Sequence, residues 1–435
     1  TALHWAVQRD DIELTKTLLA AGAGAGAANR YGVTPLSLAC ANGSAAIVDL
    51  LLGAGADPNV ALPGGETPLM TAARTGRVGP VKSLLARGAD VSAALPQGQT
   101  ALMWAAAEGH IAVVEVLLAA GAEFRQPLES GLTPLLFAAR AGHTAVVKAL
   151  LKAGVDVNEA TKPVKAGGKL PRRGATALTL AIENGHFELA SRLLDVGADP
   201  NDQRNGYTPL HILTWVRKAD RGEDEGAPEP RVTGPMTSEQ LVRLLTAKGA
   251  RVNERLNGGP SGSGRIARKG ATPFMLAADT ADLVYMRLLM ELGADPFLPN
   301  VDGCTPLMAA AGLGTRSAGE EAGSDEEAVE AVDYILSLGG DINGVSLNGD
   351  TAMHGAAFAN FPKVVKFLAA KGMKLAVWNQ KNKRGWTPLL IAEGHRFGNF
   401  KPSFETIAAI HEVMIAHGLT PPPPTPMVPV KGYRN

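Results

Sequence analysis

The chain has 435 residues, 46% apolar and 19% charged, and its 42 basic and 42 acidic side chains leave no formal net charge. That balance excludes a global field able to gather nucleic acid or anionic lipid, and no apolar run reaches the roughly 18–20 residues of a membrane span. Two cysteines, Cys40 and Cys304, are too few for a disulfide framework.

The first predicted element starts at once. Thr1-Ala-Leu-His-Trp-Ala opens the chain, and the phrase returns as Thr34-Pro-Leu-Ser-Leu-Ala and Thr67-Pro-Leu-Met-Thr-Ala, then at Thr100 and Thr133, always 33 residues on. Each Thr is placed to cap a helix, with Pro or Ala at the first helical position. Leu and a small Ala pair (Ala72-Ala73, Ala105-Ala106, Ala138-Ala139) then face inward. A Gly closes that helix, followed by His in Gly109-His110, Gly142-His143 and Gly185-His186. A second helix carries a Leu pair (Leu117-Leu118, Leu193-Leu194) and ends at Gly121 or Gly197, where a left-handed cap is needed. Ala-Asp-Pro-Asn or Ala-Asp-Val (56–59, 198–201, 89–91) then starts a finger toward the next unit.

Further copies begin at Thr176, Thr208, Thr272, Thr305, Thr351 and Thr387, making eleven. A repeat of this length signals a solenoid in which each unit buries its apolar face against its neighbours. Phrase and period together resemble the ankyrin repeat over residues 1–418, so an all-α ankyrin-repeat solenoid is expected. Four stretches break the period. Residues 159–173 and 254–269 lengthen fingers and are basic; residues 218–236 and 313–326 lengthen the turn between a repeat's two helices and lean acidic. All four are rich in Gly, Pro and Ser, the composition of flexible loops. Residues 404–417 read as a closing helix, and residues 419–435 form a proline-rich tail.

Little chemistry is offered. His4, His211 and His354 sit in the Thr-x-x-His slot, and His110, His143 and His186 in the interhelix turn. The resemblance implies structural hydrogen bonds for all six. No His-Glu-x-x-His or Cys-x-x-Cys spacing is present, and Cys40 falls in a small-residue core slot. Gly22, Gly24 and Gly26 follow a helix rather than a strand, which removes the dinucleotide reading. No nucleophile elbow occurs. No enzyme, cofactor or metal is expected. Trp5 and Trp104, one place after the His slot, are expected to pack in the core.

The remaining feature is surface. In the family this chain resembles, finger tips and the exposed ends of first helices line a concave groove. Here those positions include Arg30, Tyr31, Arg74, Glu108, Arg140 and Tyr207. Trp215 lies beside an acidic insert, and Trp386 lies on a finger. The basic inserts add Lys165, Lys169, Arg172, Arg173, Arg268 and Lys269. Mixed charge with Tyr, Trp and Arg suits a protein partner, one with an acidic patch for the basic inserts, rather than nucleic acid, which calls for a continuous basic stripe. The expected function is therefore a non-catalytic protein-binding scaffold. Two alternatives are self-assembly through the repeat ends and service as the recognition arm of a larger protein with an upstream domain. The Ala/Gly-rich, Arg-containing repeats look like bacterial arrays of this family, many of them exported, so a periplasmic or secreted location is expected, with the cytoplasm as the alternative.

Overall fold

The computed structural model describes residues 1–162, 173–219, 232–258, 266–315, 318–319, 322–396 and 401–424. Among them are twenty-three α-helices and no strand, and the chain divides into two compact units, Thr1–Asp199 and Pro200–Asn435.

The first unit holds six helix pairs. Its first helices are Ala2–Gln8, Pro35–Asn42, Pro68–Thr75, Ala101–Ala107, Pro134–Ala141 and Ala177–Glu183; its second helices run from Ile12–Ala20 to Phe187–Asp195. Each first helix packs on the next first helix. The repeated Thr explains where they begin. Thr67, for example, is extended (φ −89°, ψ 160°), and its side chain accepts the N–H of Met70 at 3.3 Å, a cap that contributes about 1 kcal/mol. Helices of seven to nine residues are marginal alone. Stacking supplies the rest: Leu36, Leu69, Leu102 and Leu135 in the first helices and Leu51, Leu84, Leu117 and Leu150 in the second are buried to 1% or less, about 1.5–3 kcal/mol each. The fingers close on themselves, the N–H of Asn29, Leu62, Leu95 and Leu128 each donating to the carbonyl four residues on at 2.9 Å.

The second unit holds five pairs: Pro209–Arg217 with Ser238–Ala247, Pro273–Asp279 with Leu283–Glu291, Pro306–Ala310 with Asp325–Ser337, Ala352–Ala359 with Pro362–Ala370, and Pro388–Ala392 with Phe404–Ala416. Thr208 departs from the capping rule: no backbone N–H reaches its side chain, and its hydroxyl pairs with His211 Nδ1 at 2.7 Å instead. A further helix, Leu375–Trp378, stands in the last finger.

The turn between paired helices needs one left-handed residue. Gly43, Gly76, Gly109, Gly142 and Gly185 fill that place at φ 74–79°. The expected glycine is absent from three other turns, where Asp10 (φ 55°), Ala281 (φ 50°) and Asn360 (φ 59°) adopt the same conformation. Asp and Asn tolerate it by bonding locally; Ala281 has no such help.

Candidate partner-binding surface

Most polar side chains in the repeats serve the stack itself. His4, His211 and His354 present Nε2 to the carbonyls of Val33, Ala271 and Trp386 at 2.9, 3.2 and 3.2 Å. A carbonyl only accepts, so Nε2 carries the proton and Nδ1 receives the hydroxyl of Thr1, Thr208 or Thr351 at 2.7–2.9 Å. In the turns, His110, His143 and His186 reach back one repeat to the carbonyls of Arg74, Ala107 and Arg140 at 3.0, 2.9 and 3.1 Å. Burial drives the His211 pKa down to about 3 and lowers His186 and His354, which keeps them neutral staples. A second row passes unnoticed in the sequence. Asn59 donates from Nδ2 to the Gly88 carbonyl at 3.0 Å and accepts the Asp90 N–H at 2.7 Å. Asn158, Asn201 and Asn253 repeat this with Gly197 and Asp199, Gly249 and Arg251, Gly293 and Asp295.

Neither cysteine is placed for reactivity. Cys40 and Cys304 are buried and unpaired; burial raises both thiols to about 12, far from a thiolate at neutral pH. Among the described residues no three His, Cys, Asp or Glu side chains converge on a metal-sized site. A cleft of about 370 Å³ in the second unit is lined by Arg217, Lys218, Asp282, Arg287, Glu327 and Glu330, among others. Arg217 is already held there, bonding Asp282 at 2.8 Å, Glu239 at 2.6 Å and the Ser238 hydroxyl, with its guanidinium 5.2 Å from the Tyr285 ring centre. Burial opposes charge on Glu239, yet these bonds hold its carboxyl down at about 2. With cations and carboxylates answering one another, the cleft favours no ligand of one sign.

The residues left over are arginines beside aromatic rings. Arg30 stands 4.6 Å from the ring centre of Tyr31 at a finger tip, with Tyr31 63% exposed. Arg74 lies 5.9 Å from the Trp104 ring and pairs with Glu66 at 3.3 Å, its own side chain 49% exposed. Glu108 and Arg140 are exposed at the ends of their helices.

Trp5 and Trp104 do not sit in the core as the sequence suggests. Trp104 leans on the end of the preceding first helix and is half-buried against Arg74, and Trp5 is 68% exposed.

In the second unit the expected surface residues turn inward. Tyr207 is buried, Trp215 meets it edge-on at 4.8 Å, and Arg268 donates to its hydroxyl with the guanidinium 5.5 Å from the ring centre. These three tie the base of the basic finger to the neighbouring first helix, and Lys269 beside them is exposed. Trp386 is half-buried, edge-on to Phe358 at 6.4 Å with Arg384 5.3 Å from its ring. Lys165, Lys169 and Arg172 lie outside the described residues. Arg173 is exposed next to the root of its finger, where Thr161 N–H bonds the Ala175 carbonyl at 2.9 Å and Gly174 N–H the Thr161 carbonyl at 2.8 Å. At that root Glu159 accepts the Thr133 hydroxyl. Its burial raises the carboxyl to about 7 against the pull of that bond, with Asp156 adding to the rise.

Comparison with known proteins agrees with this architecture. The profile described as Ankyrin repeats (3 copies) matches residues 3–94, 69–161, 160–218 and 321–400. An ankyrin repeat protein of Fowlpox virus (strain NVSL) is 31% identical over 131 residues, 28% of this chain and 30% of that protein. The human SH3 and multiple ankyrin repeat domains protein 2 is 33% identical over 243 residues, 51% of this chain and 11% of that protein. The chain thus spans less than a third of the length of either relative.

Proposed function

The chain belongs to the ankyrin repeat family, and from that premise we propose that it is a non-catalytic scaffold that holds a protein partner against its first helices and finger tips. Ankyrin repeats mediate protein–protein interaction, and a preformed stack loses little conformational entropy when it binds. The observation that carries the reading is the pair of exposed arginine–aromatic clusters, Arg30 with Tyr31 and Arg74 with Trp104. Arg, Tyr and Trp dominate the energetics of protein interfaces, and these four sit in the first unit where neighbouring polar groups are engaged in the stack. Glu108 and Arg140 extend the same surface. Lys269, Arg173 and the basic inserts are proposed as secondary contacts for acidic groups of the partner.

The test is cross-linking capture from native lysate, wild type against Tyr31→Ala/Arg74→Ala. Loss of a captured protein by the variant, with its folding intact, supports the surface. Equal capture moves the interface elsewhere, and capture by neither removes the scaffold reading.

A second reading is self-association. Sedimentation over a range of concentrations decides it, since a monomer throughout removes that reading. A location outside the cytoplasm is proposed on the Ala/Gly-rich composition alone, and cell fractionation tests it.

A further inference from the structure

The finger leading into the last repeat is built unlike the others. Its short helix, Leu375–Trp378, ends in a Trp378 whose side chain is fully buried, an aromatic anchor fixing the finger to its unit. The tip turns around Asn382: Oδ1 accepts the N–H of Arg384 and of Trp386 at 3.0 and 3.1 Å, and Nδ2 donates to Asp350 Oδ1 at 2.8 Å. Lys383 N–H donates to the Asn348 carbonyl at 2.8 Å. The tip backbone is therefore held on both sides, while the side chains of Lys381, Lys383 and Arg384 are exposed.

The charge on this segment is one-sided. Between Thr351 and Ala392 the sequence has seven Lys or Arg and no Asp or Glu. The three lysines on and just past the helix Pro362–Ala370 are compensated from neighbouring repeats: Lys363 by Glu326, Lys366 by Glu412 at 2.6 Å and Lys371 by Asp333 at 2.7 Å. The finger lysines are not. Lys374, Lys381 and Lys383 form no ion pair among the described residues, and Asp350, the carboxylate that meets the finger, is engaged by Asn382.

We infer that this finger is a docking surface for an acidic segment of a protein partner. The inference rests on the protein-binding reading above and adds the chemistry of what is bound. Lysines without an ion pair, carried on a finger whose backbone is held, attract carboxylates with little ordering cost. Nucleic acid fits less well, because Trp386 has Arg384 over its ring and Phe358 at its edge, leaving no open platform for a base. The cations are also confined to one finger instead of tracking a backbone.

The experiment uses the full chain, a labelled peptide of about twelve alternating Glu and Ser residues, and a single-stranded oligonucleotide of equal length, at about 50 and 200 mM salt, where screening lengths differ about twofold. Expected are binding of the peptide, weakening with salt, and a tryptophan emission change that disappears in Trp386→Phe. The Lys381→Glu/Lys383→Glu/Arg384→Glu variant should bind about tenfold more weakly or less. The swap Lys366→Glu/Glu412→Lys, which inverts a compensated pair, should leave affinity unchanged. No peptide binding, equal binding by the triple variant, or tighter binding of the oligonucleotide overturns the inference. If the triple variant still captures a partner that Tyr31→Ala/Arg74→Ala loses, the acidic-segment inference fails while the scaffold reading stands.

Discussion

The two units fasten successive repeats by different means. In the first, where the 33-residue period is nearly kept, a histidine from three of the six turns bonds the backbone one repeat back: His110 to Arg74, His143 to Ala107, His186 to Arg140. In the second, two of whose turns are lengthened by inserts, charged side chains link neighbouring repeats in either direction. Arg396 donates to the Phe358 carbonyl, which holds the same place in its helix as the Arg74 carbonyl does. Lys218 donates to the Ala281 carbonyl at 3.1 Å. Asp325 accepts the N–H of Lys363 and Val364 at 2.8 and 3.1 Å, capping the next repeat's helix. Among the described residues the ion pairs fall in the second unit, apart from Arg74–Glu66. A regular turn lets a short imidazole reach the same carbonyl each time. Where the turn changes length, charged side chains of other reach make the connection, long cations in Arg396 and Lys218 and a carboxylate in Asp325.

The sharpest way to break that contrast is Arg217→Ala. The guanidinium is 8% exposed and Asp282, beside it, 9%. Removing it leaves a buried carboxylate without its partner, which typically costs about 3–5 kcal/mol. Hydrogen exchange should show the second unit opening while the first keeps its protection. Equal loss in both units would mean that the fastening is not local.

Gly109→Ala makes the matching cut in the first unit, with a smaller effect. The residue has φ +79°, and a Cβ there would lie 2.6 Å from Nδ1 of His143. Left-handed strain and the displaced imidazole together are expected to cost about 2–3 kcal/mol. His143→Ala alone should cost about 1 kcal/mol. The double variant should cost less than the two added, because the clash then has no ring to displace. Full additivity, measured by urea unfolding, would show that the ring does not matter to the glycine.

A third effect separates the units by pH. Burial holds Glu159 at about 7 in the folded state, above its ordinary 4.5. Because the folded value is the higher one, the stability this group contributes is complete below about pH 4.5 and lost as pH rises through 7. Discounted for part exposure, the loss is about 1 kcal/mol. The first unit should therefore exchange faster at pH 8 than at pH 5.5 after correction for intrinsic rates, and Glu159→Gln should flatten the difference. A slope unchanged by that substitution would assign it to another group.

Much of the architecture is legible in the sequence because each repeat states its own helix start. Thr, then Pro or Ala, then an apolar residue marks a cap, a first turn and a core residue within three positions, and eleven such copies put neighbours in register. The surface is harder to read, since it depends on which repeat a side chain leans toward. Trp104 lies against a residue 30 positions earlier, and Arg268 finds Tyr207 61 positions away across an insert. No local pattern encodes such meetings. Asn59 and its equivalents were within reach: Ala-Asp-Pro-Asn occurs twice with Asn in the same place, and an amide that must satisfy both a donor and an acceptor is a reason for Asn there. The anchor Trp378 gives no such signal, because its burial depends on a finger helix outside the repeat pattern.

The smallest prediction concerns how a turn makes room for its neighbour. In three turns of the first unit the left-handed residue is a glycine with the next repeat's imidazole over it: His110 over Gly76, His143 over Gly109, His186 over Gly142. At Ala281 the arrangement is reversed. The left-handed residue carries a buried methyl, and the next repeat supplies the glycine, Gly323, where a Cβ would come within 3.3 Å of that methyl. Ala281→Gly relieves about 1–2 kcal/mol of left-handed strain and forfeits about 0.8 kcal/mol of methyl burial, so a net gain of about 0.5 kcal/mol is expected in denaturant unfolding of the second unit. A loss instead would show that the methyl seated against Gly323 is itself a fastening between these repeats, and that the second unit has exchanged the imidazole for packing as well as for charge.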